Sequence, residues 1–116
     1  MAQQVVFKDC WTRLKGEITG YWDKKTIRIE RLLQNYRPEL RRLRLTMHHR
    51  PNAYEAHCVL LLPTGTLVAT SASRSYMEAM DNVTDHIVQE IRRHRDLIRR
   101  DGLHSQRRGN RRSAVA

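Results

Sequence analysis

The chain has 116 residues, with 22 lysines and arginines against 12 aspartates and glutamates, and a formal net charge of +10. This length accommodates one domain, with or without a tail, and 40% hydrophobic residues exclude wholesale disorder. The longest apolar run, Cys58 to Leu62, is far shorter than the ~20 residues of a membrane helix, and the N-terminus lacks a secretory signal pattern. We therefore expect a cytoplasmic protein whose charge attracts a polyanion, either RNA, DNA, a membrane surface or an acidic protein.

The first half of the chain predicts a strand followed by a helix. Gln4–Lys8 is a short strand candidate. From Thr12 to Asn35, apolar residues recur at helical spacings and fall in one arc roughly 100° wide. Pro38 ends this helix, because the residue before a proline is disfavoured in helical conformation. The apolar residues of the arc are Leu14, Ile18, Trp22, Ile29, Leu32, Leu33 and Tyr36.

Three strands and a second helix follow. Alternating polarity predicts strands over Arg42–His48, Tyr54–Leu62 and Thr66–Ala72, and the short turns between them indicate an antiparallel meander. Ser75 and Glu78 form a capping-box pattern that starts a helix running to about Arg100, with Gly102 placed to stop it. Its apolar arc holds Tyr76, Met80, Val83, Ile87, Ile91, His94 and Ile98. The predicted fold is α+β: a β-α-β-β-β-α two-layer sandwich, with both helices on one face of a four-stranded sheet.

The charge divides into two parts. Residues 101–116 hold four arginines against Asp101, a charge of +3, which leaves +7 of the total +10 for residues 1–100. The terminal part is almost devoid of apolar side chains, which is typical of disorder. We therefore expect a folded domain over residues 1–101 and a basic, disordered tail over residues 102–116.

The second helix concentrates arginine near its end. Arg92, Arg93, Arg95, Arg99 and Arg100 cover roughly 160° of the helical wheel opposite the apolar arc. Acidic residues near its start mean that part of this pattern simply complements the helix dipole. Five arginines interrupted only by Asp96 nevertheless favour a phosphate-binding surface.

The first helix carries a smaller basic stripe of Lys24, Arg28 and Arg31, with Lys25 at the edge of the apolar arc. If both helices pack on one sheet face, the two stripes merge into one basic surface with a groove between the helices. No aromatic residue interleaves with these cations, which favours recognition of the shape and backbone of folded RNA over base stacking.

The sequence pattern does not favour a metal site, a disulfide or a catalytic site. His48 and His49 are consecutive and point to opposite faces of a strand, and with His57 they lack the spacing of a metal site. Cys10 and Cys58 are expected to be reduced thiols. No nucleophile–base pair, phosphate loop or paired carboxylates appear, so we expect no enzyme activity, cofactor, metal or small-molecule substrate.

Residues of the hairpin and both helices resemble one family. The stretch from Pro63 to Ala69 is similar to the Pro-Gly-Gly-x-Leu-x-Ala hairpin of the ribosome hibernation-promoting factors, also called ribosome-associated inhibitors. Residues 91–95 resemble that family's Leu-Lys-Lys-His-Lys helix ending. Further matches are Ala79, Asp81 and Asp85 in the last helix, and Tyr21, Lys25, Arg28, Ile29, Glu30 and Arg31 in the first. The likeness covers roughly residues 14–100, and the chain length resembles a short form without a second domain.

The resemblance implies a β-α-β-β-β-α fold and a non-enzymatic translation inhibitor. Members bind the small ribosomal subunit in the channel for mRNA and tRNA near the decoding centre, contact 16S rRNA, and block the A and P sites in stationary phase or stress. The resemblance assigns rRNA contacts to Lys25, Arg28, Arg31, Arg92, Arg93 and Arg95; the charge pattern alone adds Lys24, Arg99 and Arg100. DNA, membranes and small-molecule substrates are not expected as partners.

Two alternatives share the same basic face. One is a general module for structured RNA with a target other than the ribosome. The other is a protein-interaction module, such as a regulator of a transcription factor, whose charge meets an acidic partner.

Overall fold

A computed structural model of the chain describes residues 1–9 and 12–115, with side chains for all of them except residue 12 and residues 100–115. The elements are β1 (Ala2–Lys8), α1 (Thr12–Leu32), a short 3-10 turn (Pro38–Leu40), β2 (Arg42–Arg50), β3 (Ala53–Leu62), β4 (Gly65–Ser73) and α2 (Tyr76–Val115). This β-α-β-β-β-α order confirms the predicted α+β class.

The four strands form one mixed sheet in the order β1-β2-β3-β4. β1 pairs parallel to β2, whereas β2, β3 and β4 form the predicted antiparallel meander. Since α1 connects two parallel strands, it runs back along the sheet between them. The strand order therefore brings the start of α1 and the start of α2 to the same end of the sheet.

One face of the sheet is buried under both helices. The strand register aligns Leu43, Leu60 and Leu67 in one cross-strand row, and these side chains are almost fully buried. Ile18 and Trp22 of α1 and Met80 of α2 are fully buried in the same core. Two helices on one sheet face therefore make the predicted two-layer sandwich.

No helix covers the opposite sheet face within the described residues. Arg42 and Arg44 of β2 point there and are exposed. Leu61 and Val68 of the neighbouring strands also lie on this face, with exposed fractions of 44% and 47%. This open face provides basic positions that are remote from the outward sides of the helices.

The apolar arc predicted for α1 is confirmed at its centre. Ile18, Trp22, Ile29 and Leu33 are fully buried. Thr26 fills the remaining core position on this face, and its hydroxyl donates a hydrogen bond to the Asp23 carbonyl at 2.9 Å. That bond satisfies a polar group that burial would otherwise penalise.

The predicted end of α2 at Gly102 is wrong, because the helix continues to Val115. A glycine costs a helix only about 1 kcal/mol relative to alanine, and no proline follows in the chain to interrupt the helix. The described backbone of residues 102–115 is therefore helical. The separation of residues 102–116 as a distinct basic tail stays a prediction.

The sheet ends before α2 does. Gly65, with a φ of +155°, lies against the His94 ring, and a Cβ there would come within 3.1 Å of it. Beyond this contact α2 no longer has a strand beneath it. Leu97 and Ile98 are consequently 47% and 39% exposed, so Ile98 does not join the core that its position in the arc predicts.

Candidate nucleic-acid interface

A row of polar contacts joins α1 to α2 along their length. Tyr76 of α2 donates a hydrogen bond to Glu17 of α1 at 3.0 Å. Further along, Arg28 of α1 lies 3.1 Å from Asp85 of α2. We call this line of contacts the interhelix seam, and it also contains Tyr21, Lys25 and Asp81. The seam fixes the two helices side by side and in the same direction.

Asp81 is the central acceptor of the seam. Tyr21 donates its hydroxyl proton to Asp81 Oδ1 at 2.5 Å, and Lys25 Nζ lies 2.7 Å from the same oxygen. Partial desolvation opposes ionisation of Asp81, but the hydrogen bonds from Lys25 and Tyr21 and the lysine charge outweigh it and lower the pKa of the carboxyl. The hydrogen bond to Asp81 raises the pKa of Lys25. The pair is therefore fully charged at neutral pH.

Replacing Asp81 by Asn tests the seam through its pH dependence. Because the folded-state pKa of Asp81 is lowered, its stabilisation is present at neutral pH and is lost as pH falls from about 3.8 through the lower folded value. The carboxylate is 44% exposed, so the loss in D81N is expected to be about 1 kcal/mol or less. Thermal unfolding from about pH 2 to pH 8 should show the wild-type advantage near pH 7 and its progressive loss below about pH 3.8.

Asp96→Asn is the matched control for that experiment. Asp96 lies on the same helix, is exposed, and makes no ion pair within the described residues. Its replacement removes no described contact across the seam and alters only the local arginine charges, so D96N should lower the unfolding temperature less than D81N does. An equal effect of D96N and D81N would contradict a specific role for the Asp81 contacts.

Three of the predicted RNA-binding cations contact groups of the partner helix. Lys25 and Arg28 neutralise Asp81 and Asp85. Arg95 Nη2 donates to the Leu32 carbonyl at 2.5 Å, which satisfies one of the free carbonyls at the end of α1. These side chains hold the helices together, and each arginine keeps further N–H donors for a ligand.

The other predicted cations remain free. Lys24, Arg31, Arg92, Arg93 and Arg99 are all exposed. None of the five makes an ion pair with any other part of the chain for which side chains are described. The Arg100 side chain lies outside the described ones. Unpaired arginines on an ordered helix are suited to phosphate oxygens because their planar donors match them.

The free arginines of α2 divide between its two flanks. At about 100° per residue, Arg92 and Arg99 lie within roughly 20° of Asp81, on the side of the seam. Arg93 lies within roughly 20° of His86, and Nδ1 of His86 donates to the Thr70 carbonyl of the edge strand β4 at 3.1 Å. Arg93 therefore faces the outer flank, away from α1.

The cations on the seam side lie along both helices, and we call them together the basic surface. The merger of the two stripes into one RNA-binding surface stays a prediction: Arg93 lies outside the basic surface, Asp96 lies within it, and Asp81 and Asp85 lie along the seam between its two halves. The basic surface consists of Lys24, Arg28 and Arg31 of α1 and Arg92, Arg95 and Arg99 of α2.

A groove of about 460 Å³ opens where α1 ends beside α2. We call it the terminal groove. Its rim carries Arg31, Arg95 and Arg99. Tyr36 and His94 form one wall, and both hydrogen bond to the Thr64 hydroxyl at 2.8 Å. A groove between the helices is thus present at the C-terminal end of α1, beside the middle of α2. Tyr36 is a lining residue that the sequence pattern does not reveal.

The other candidate residues with described side chains make contacts elsewhere in the fold. His48 bonds to Asp9 at 3.1 Å, and His49 stacks on Tyr54 with ring centroids 4.4 Å apart. The described residues include no group of three His, Cys, Asp or Glu side chains placed to hold a metal ion. Burial raises the pKa of the free Cys58 thiol to about 12, and Cys10 lies outside the described residues. No described helix has the length and apolar character for crossing a membrane.

Comparisons with known proteins find likeness in structure alone. No protein-family model matches the chain, and no curated protein sequence matches it. The N-terminal domain of Protein Y from Thermus thermophilus superposes with a TM-score of 0.67 at 17% identity, covering 80% of this chain and 98% of that one. A ribosomal subunit interface protein from Coxiella burnetii superposes with a TM-score of 0.57 at 16% identity, covering 83% of this chain and 99% of the other. The chain therefore has the complete fold of these two structures.

Proposed function

We propose that this protein is a ribosome hibernation factor of the short form. In this proposal the basic surface binds the small ribosomal subunit on its 16S rRNA, within the channel for mRNA and tRNA near the decoding centre. The bound protein blocks the A and P sites in stationary phase or stress and so inhibits translation without any enzyme activity.

The observation that carries this proposal is the basic surface on the outward sides of two helices in this particular fold. The positions of its cations are fixed on the helices, because the core packs α1 and α2 against the same sheet face. Cations placed on ordered helices bind a structured polyanion at a reduced ordering cost, because the backbone is already fixed and only the exposed side chains must still be immobilised. The shared fold with a structure described as a ribosomal subunit interface protein supports the ribosome as that polyanion.

The proposal assigns distinct parts to the cations. Arg31, Arg92 and Arg99 contact phosphates directly, with Lys24 beside them. Lys25, Arg28 and Arg95 orient the surface through Asp81, Asp85 and Leu32, and contribute positive field. Arg93 and Arg100 extend the contacts. Residues 1–101 form the ribosome-binding unit, and residues 102–116 extend its positive charge.

Competition on purified small subunits tests the proposal. The protein should co-sediment with empty small subunits at moderate salt. Subunits that already hold tRNA and mRNA should bind much less of it, because all three occupy one channel in this proposal. Binding that is equal with and without tRNA and mRNA would contradict the assigned location. Absence of binding at moderate salt would contradict the ribosome as partner.

Two control reactions separate the alternatives. An unrelated RNA duplex at equal phosphate concentration should compete poorly with small subunits, whereas equal competition would indicate a general RNA-binding module. Capture of partners from an extract before and after nuclease treatment covers the protein-interaction alternative. A protein partner that is retained after nuclease would favour that alternative.

A further inference from the structure

The geometry points to the terminal groove as a seat for one unpaired RNA nucleotide, with its phosphate on the arginine rim and its base on the groove floor. This inference rests on the proposed function and specifies what the basic surface recognises. The groove volume of about 460 Å³ falls within the roughly 300–1,000 Å³ that is usual for small-ligand sites.

The rim has the charge that a phosphate requires. Arg31, Arg95 and Arg99 line the groove, and no acidic side chain lines it within the described part of the chain. The bond from Arg95 to the Leu32 carbonyl fixes this guanidinium at the rim while leaving its other N–H groups available. A phosphate therefore meets an arginine that is already held in place.

A buried arginine lies opposite one residue of the groove in the strand register. Arg41 is only 8% exposed, and its Nε has no hydrogen-bond partner among the described residues. The pairing of Arg42 with Leu61 sets position 41 opposite Leu62, and Leu62 lines the groove. An unneutralised cation close to a low-dielectric floor strengthens the attraction for an anion.

The floor and one wall suit a nucleobase. Leu62, Ile91 and Ile98 supply apolar surface, and the Tyr36 ring lines the groove beside them. The Tyr36 and His94 side chains are both anchored through Thr64, which fixes the wall before a ligand arrives. Aromatic and apolar surfaces of this kind receive bases that have left a helical stack.

Two amides complete the recognition chemistry. Gln34 and Asn35 line the groove just beyond the end of α1 and are exposed. A side-chain amide offers both donors and an acceptor, as the edges of a base do. Among the arginines of the two helices there are no aromatic residues, and this pattern by itself favours recognition of the RNA backbone without base stacking. Because Tyr36 enters the site from outside both helices, the groove adds recognition of a single base.

Since a base within a duplex is stacked and paired, only a bulged, looped or single-stranded nucleotide can enter. The test compares a fully paired RNA hairpin with the same hairpin carrying one bulged nucleotide, using titration against the full-length protein. The bulged hairpin should bind at least about fivefold more tightly. Equal affinities for the two hairpins would overturn the inference.

Two neighbouring substitutions provide the matched pair for this experiment. Ile98→Glu places a carboxylate on the groove floor, whereas Leu97→Glu makes the same charge change one residue earlier, at a side chain that does not line the groove. Both positions are exposed, so both variants should fold. I98E should abolish the preference for the bulge and L97E should retain it; loss of the preference in both or in neither overturns the inference.

Competition with small ligands distinguishes a nucleotide seat from a simple anion site. Nucleoside 5′-monophosphates should displace the bulged hairpin at lower concentration than inorganic phosphate does. Equal displacement by phosphate would overturn the base-binding part of the inference. If the protein binds small subunits but does not prefer the bulged hairpin, this inference is refuted and the proposed function is not. If the protein prefers the bulged hairpin but does not bind small subunits, the proposed function is refuted and this inference is not.

Discussion

Replacing Arg92 and Arg99 together by Glu is expected to weaken binding to the small ribosomal subunit by at least about 100-fold at roughly 0.1 M salt. In a plot of the logarithm of affinity against the logarithm of salt concentration, each phosphate contact contributes roughly 0.7–0.9 to the downward slope. At roughly 0.1 M salt each contact therefore raises the affinity roughly tenfold. Both side chains are exposed and make no described ion pair, so the fold should persist. When affinity is measured over a series of salt concentrations, the same plot for the double variant should have a slope smaller than that of wild type by about two.

The open sheet face supplies the control for this experiment. Arg42 and Arg44 are exposed on the side of the sheet remote from the helices, and their double replacement by Glu makes the same change in net charge. That variant should bind within a few-fold of wild type. Equal loss in both double variants would show that net charge drives association, with no dependence on the basic surface.

Trp22→Ala should have the largest effect on stability, about 3–5 kcal/mol. Trp22 is fully buried between α1 and the sheet, so its removal leaves a cavity where both layers meet. The loss is a large part of the roughly 5–15 kcal/mol by which domains are stable. Urea unfolding followed by circular dichroism measures it. Leu61→Ala, at an exposed position of the open sheet face, should change stability by less than about 0.5 kcal/mol.

Trp22→Phe separates the contribution of the ring from that of its N–H group. The indole nitrogen has no hydrogen-bond partner among the described residues, and an unsatisfied buried donor costs about 1–3 kcal/mol. Phe retains an aromatic ring in the core and removes that donor. W22F should therefore lose much less stability than W22A, and equal losses would contradict an unpartnered indole.

Local patterns predicted most of this fold, because the spacing of apolar residues and the face that each helix or strand buries can be read from a short stretch of sequence. The alternation in Arg42–His48 and the helical spacing of Ile18, Trp22 and Ile29 each specify one buried face, and these faces meet in one core. The parallel pairing of β1 with β2 joins segments some 40 residues apart and leaves no local pattern. The end of α2 was predicted wrongly because Gly102 alone is too weak a signal to stop a helix.

The candidate site was predicted less completely, because its geometry depends on contacts between distant segments. The sequence shows Lys25 and Arg28 as exposed cations, whereas the fold pairs them with Asp81 and Asp85, more than 50 positions away. Position on a helical wheel cannot reveal such partners. The sequence does predict a shared side for Arg92 and Arg99, since that side follows from helix period alone.

The terminal groove draws on separate regions of the chain. Arg31 belongs to α1, Tyr36 follows it, Leu62 ends β3, and Arg95 lies in α2. Pro38 identified the end of the helix near Tyr36, but no pattern predicted that this tyrosine would face His94 across Thr64. Such a site becomes visible only when the strand order and the helix direction are known.

The parallel attachment of β1 has a consequence for the order of folding. The meander of β2, β3 and β4 closes through short turns, whereas the ladder from Ala2 to Arg42 must close across the whole of α1, which carries a larger entropy cost. None of the β1 side chains is fully buried, so little apolar burial offsets that cost. We expect the meander with α2 to form the nucleus, and β1 to join late and to open first. Substitutions in β1 would then speed unfolding and leave the folding rate almost unchanged.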